Sequence, residues 1–66
     1  MISDRDIYTA ANLLVKRYGK DAATQAAMRA DVLGTENDTE GQREWIRISE
    51  AVKTLQRTRA AGEAVN

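Results

Sequence analysis

The chain alternates apolar and polar residues with the period of an α-helix, and the longest such stretch runs from Arg43 to Leu55. There Trp45, Ile48, Val52 and Leu55 recur at steps of three, four and three, with Ala51 beside them, and form one stripe on a helix. A second stripe is Ile7, Ala11, Leu14 and Tyr18. A third is almost wholly alanine: Ala23, Ala26, Ala30 and Leu33, with Ala22 and Ala27 alongside. The pattern predicts an all-α protein, a compact three-helix domain with helices over about 4–18, 22–33 and 39–60. Its expected core is Ile7, Ala11, Leu14, Tyr18, Trp45, Ile48, Val52 and Leu55, with the Trp45 stripe largely buried against the first helix.

Boundary signals agree with the periods. Ser3 with Asp6 resembles a capping box, and Asp4 and Asp6 suit the positive end of a helix. Lys16 and Arg17 suit its last turn, and Gly19 can stop it in the left-handed conformation. Asp21 can cap the second helix and Gly34 can end it. Asp38 or Thr39 can cap the third, with Glu40 in its first turn and Lys53, Arg57 and Arg59 towards its end. Residues 1–66 make one domain, with a tail expected to fray from about residue 61. Small side chains on the second helix let backbones approach closely, so it should pack tightly on a bulkier neighbour.

Composition removes much chemistry. The 66 residues include no cysteine and no histidine, so disulfides, thiol nucleophiles and imidazole catalysis are excluded. Carboxylates sit where capping explains them, and none stands beside a nucleophile, so neither an enzyme nor a cofactor is expected. The loop Glu36 to Gly41 echoes the start of an EF-hand. Its twelfth position, however, is Arg47, a cation where a bidentate glutamate belongs, so no metal is expected. No apolar run approaches a membrane span, and MISDRD is unlike a signal peptide, which together predict a cytoplasmic protein.

Ten basic and ten acidic residues give zero net charge, where a nucleic-acid binder usually carries a positive excess. Residues 12–33 do have the layout of a helix-turn-helix, with Lys16, Arg17 and Lys20 near the turn. Arg29 is nonetheless the one base on the outward side of the second helix. A DNA-binding regulator is therefore the alternative function.

Four apolar residues lie off the stripes. At about 100° per residue, Ile46 lies opposite the Trp45 stripe and Leu13 far from the Ile7 stripe. Met28 and Val32 lie opposite the alanine face. A domain of this size buries only about 60% of its unfolded surface. A core without phenylalanine and rich in alanine leaves apolar area to be covered from outside. Leu13, Met28, Val32 and Ile46 are accordingly the candidate interface of a small interaction module, a homo-oligomer with a dimer favoured.

The string DAATQAAMRADVLG, the acidic turn with Glu40 and Gly41, and WIRISEAVKTL resemble a group of small uncharacterised bacterial all-helical proteins. The likeness runs from Asp6 to about Gln56. It implies a helical fold and no reaction, and no functional residue carries over from it.

Overall fold

The structure, a computed structural model, describes the backbone of residues 3–65 and the side chains of residues 3–58. It is all-helical. Helix α1 spans Asp4–Tyr18, a 3-10 turn spans Gly19–Asp21, α2 spans Ala22–Thr35 and α3 spans Thr39–Val65. The helical residues form two uninterrupted runs, because the 3-10 turn joins α1 to α2 without a break and only residues 36–38 separate α2 from α3.

Local chemistry sets the starts. The Asp6 N–H donates to Ser3 Oγ at 3.2 Å, capping α1. The Gly41 N–H donates to Asp38 Oδ1 at 2.9 Å, so Asp38, not Thr39, caps α3. Asp21 stands before α2 but makes no capping bond; the Ala22 N–H instead bonds back to the Gly19 carbonyl inside the 3-10 turn.

The stops differ more from the sequence expectation. Gly19 has φ 58 as expected, but its ψ of −127 lies outside the left-handed helical region, in territory that only glycine enters freely. Gly34 does not end α2. Asn37 does, at φ 62, with its N–H on the Gly34 carbonyl and the Asp38 N–H on the Leu33 carbonyl. These two bonds make a Schellman motif, with asparagine in the place glycine usually holds. Gly34 instead lies within α2 against the far end of the Gln42 side chain, which fills the space a Cβ would take. The expected end of the third helix at Ala60 also moves, since the backbone stays helical to Val65. Ala60, Ala61, Glu63 and Ala64 favour helix, and one glycine among them costs only about 1 kcal/mol. The side chain of Arg59, expected to serve the end of that helix, lies outside the described residues.

α1 and α3 run parallel. Arg47 pairs with Asp4 at one end, and Gln56 Nε2 donates to the Gly19 carbonyl at 2.8 Å near the other. α2 returns antiparallel and packs mostly on α3, which also contacts α1 directly, whereas α1 and α2 touch less. Fifteen residues of α1 span about 22 Å and 27 residues of α3 about 40 Å, so α3 overhangs. The Cα radius of gyration of 12.5 Å, above the roughly 11 Å of a rounder domain this size, reflects that overhang.

The core is narrow. Ile7, Ala11, Ala22, Ala26, Ile48, Ala51 and Val52 form it, and Val52 is its largest fully buried side chain. The buried face of α2 is Ala22, Ala26 and Ala30, one step round from the stripe read in the sequence; Ala23 and Leu33 are half-buried and Ala27 is exposed. The buried Ser49 hydroxyl donates to the Ile46 carbonyl of its own helix at 2.8 Å, which leaves no polar group stranded there.

Tyr18 does not join this core. It is 37% exposed, with the Arg17 guanidinium 5.6 Å from its ring centroid. Trp45 is half-buried, as are Leu14 and Leu55. The reason is the span of α1, which covers α3 only between about Arg47 and Gln56. Trp45 falls just before that interval, and Tyr18 is the last residue of the covering helix.

Candidate interaction surface

Leu13 is 63% exposed, Met28 55%, Val32 52% and Ile46 44%. Each follows from helical phase. Leu13, Met28 and Ile46 stand two positions from the buried residues Ala11, Ala26 and Ile48, about 200° around their helices. They therefore point away from the common core. Met28 and Val32, one turn apart on α2, adjoin.

α2 thus divides into two apolar faces. Alanines meet α3 inside, and a methionine and a valine meet solvent outside. Gln25 and Arg29 border the outer pair on one side, Thr24 and Asp31 on the other. The Arg29 guanidinium lies over the Trp45 ring, 5.8 Å from its centroid, while the residue as a whole stays exposed. It is the one outward cation of α2 in the DNA-reading layout of residues 12–33. Sequence periodicity could not find this contact, because it joins two helices.

Along the outer seam of α1 and α3 lie two shallow open grooves. One, of about 280 Å³, is lined by Asn12, Val15, Lys16 and Leu55. The other, of about 270 Å³, lies beside Asp4, Tyr8, Arg47 and Glu50. Both are open to solvent; the second is lined mostly by polar groups, among them the paired Asp4 and Arg47, Glu50 and Thr54. In the Glu36–Gly41 loop, the carboxylate with a partner is that of Asp38, and the partner is a backbone amide. Among the described residues no cluster of three or more carboxylates could hold a metal ion, and no helix is long and apolar enough to cross a membrane.

No protein-family model, no curated protein and no solved structure matches the chain.

Proposed function

We propose that this chain is a small cytoplasmic interaction module, a three-helix unit that associates with a second copy of itself through the outer face of α2. One observation carries the proposal: Met28 and Val32 stay about half exposed, one turn apart, on a domain whose largest fully buried side chain is a valine. A core so thin leaves the fold short of buried apolar area, and association supplies it. Zero net charge puts little overall repulsion in the way.

The rival role for α2, reading DNA, draws less support. Its one base, Arg29, lies over Trp45, and Asp31 borders the exposed pair. Phosphate neutralisation supplies much of the affinity for DNA, and this helix offers little of it.

The test is sedimentation velocity over a wide concentration range. The parent is expected to form a dimer at micromolar concentration. The pair Met28→Glu and Val32→Lys keeps the net charge and makes burial of that face costly, so it should give a monomer with unchanged helicity. A parent that remains monomeric at high concentration overturns the proposal. A double variant that keeps the parent's size moves the contact elsewhere, with Leu13 and Ile46 the next surfaces.

A further inference from the structure

Zero net charge conceals a separation that only the fold creates. Because α1 and α3 are parallel, their N-termini and the turn between α2 and α3 share one end of the molecule. Asp4, Asp6, Glu36, Asp38 and Glu40 are exposed there. Four bases lie nearby, Arg5, Arg29, Arg43 and Arg47, the last offset by Asp4, and the acids Asp31 and Glu44 add to the other side, so acids still outnumber bases at this end. The opposite end exposes Lys16, Arg17, Lys20, Lys53 and Arg57, with Asp21 the one acid beside them among the described residues. Among the described residues, one end is acidic and the other basic.

For α1 and α3 the helix dipole accounts for these signs, since acids favour an N-terminus and bases a C-terminus. It does not account for α2. Lys20 and Asp21 stand together at the start of α2 and offset one another, while Asp31 and Glu36 lie near its end, where the last turn holds no base. The helix whose C-terminal charges run against its own dipole is also the one with the exposed apolar pair.

Resting on the self-association reading above, we infer that two copies pair through α2 in antiparallel fashion about a twofold axis, the acidic end of each beside the basic end of the other. Centred on the exposed pair, this register sets Met28 of each copy opposite Val32 of its partner and Thr24 opposite Glu36. Lys20, four residues before Thr24, then falls beyond Glu36 of the other copy, on the side of the α2–α3 turn and of the first turn of α3 with its Glu40. The contact is isologous and closes at two copies, whereas a parallel arrangement would stack like ends together. A standard interface takes about 800 Å² from each partner, roughly a sixth of this chain's 4997 Å². Two apolar side chains cannot supply that area, so the polar ends belong to the contact. Screening falls within about 8 Å at physiological salt, so the complementarity acts only between surfaces that touch, and it weakens as salt rises.

The experiment measures the dimer dissociation constant by sedimentation equilibrium for the parent, K20E, E40K, E36K and the double variant K20E/E40K, with circular dichroism as the check on folding. Each charge pair occurs twice by symmetry. K20E and E40K are each expected to weaken the dimer roughly five- to tenfold, E36K, which faces Thr24 with Lys20 the nearest cation, by less, and the double variant to return to within about twofold of the parent. E36K places a cation where the α2 dipole favours one, so its loss of dimer cannot be laid to a weakened helix. A tenfold rise in salt should weaken the parent and leave K20E little changed. If the parent dimerises but the single reversals do not matter, or the double variant is no tighter than they are, the antiparallel pairing is wrong while self-association stands. A monomeric parent overturns both. If K20E lowers retention on heparin and leaves the dimer intact, the basic end serves a polyanion and the pairing is likewise overturned.

Discussion

The Arg29 guanidinium lies over the ring of Trp45, 5.8 Å from its centroid, and joins α2 to α3 just beyond the end of α1. α1 leaves that part of α3 uncovered, and the guanidinium lies over the face of a ring that is only half-buried. The charge adds a cation–π attraction of about 0.5–1 kcal/mol at a partly exposed site.

Replacing Arg29 with alanine should therefore lower stability by roughly 1 kcal/mol, through lost packing as well as lost charge. Trp45 is the one tryptophan, so its fluorescence reports the change directly, and emission should shift to the red. Trp45→Ala should cost about 2–3 kcal/mol, below the range for a fully buried ring, because Trp45 is only half-buried. Unchanged emission in Arg29→Ala would show that the arginine does not cover the ring.

The alanine face of α2 should resist enlargement more than the core resists truncation. Ala26 has no exposed surface, and α3 lies close against its helix. Ala26→Leu is expected to cost about 3 kcal/mol or more by forcing the helices apart. Val52→Ala should cost about 2 kcal/mol, and Leu13→Ala, at an exposed position, within about 0.5 kcal/mol of nothing. Urea denaturation of the three variants gives the order; an Ala26→Leu variant as stable as the parent would mean that α2 and α3 are not in close contact.

Gly19 should be hard to replace although nothing lies within 4 Å of a Cβ built there. The obstacle is its backbone, at φ 58 and ψ −127, so Gly19→Ala is expected to cost about 1–3 kcal/mol without any clash. Gly34→Ala meets only the far end of the Gln42 side chain, which can swing aside, and should cost less. Equal losses in thermal melts of the two variants would contradict this distinction.

Asp38→Ala should lower stability by about 1 kcal/mol through loss of the cap on Gly41. Millimolar calcium should leave the melting temperature of the parent unmoved, since a ligand specific to the folded state would raise it. A calcium-dependent rise that disappears in Asp38→Ala would assign the loop to metal binding.

The starts of the helices were legible in the sequence because capping is local: Ser3 and Asp38 each accept from an amide three residues on. So was the outward direction of Met28 and Val32, which helical phase decides within one element. What phase cannot reveal is how far one helix covers another. Trp45 and Tyr18 stand on stripes as regular as that of Val52, yet only Val52 lies inside the stretch where α1 meets α3. The lengths and offset of the packed helices put the other two at the rim. Tertiary structure also placed Gly34 within α2 and the stop at Asn37, with the far end of the Gln42 side chain filling the space of a Cβ at Gly34. The sequence by itself determined where the helices start and which face of each is apolar, since hydrogen bonding and side-chain period act within a few residues, while the ends of α2 and α3 fell later than expected, at Thr35 and Val65. The parallel setting of α1 and α3, and with it the charge separation between the ends, was decided only when buried area forced three stripes of unequal length around one narrow core.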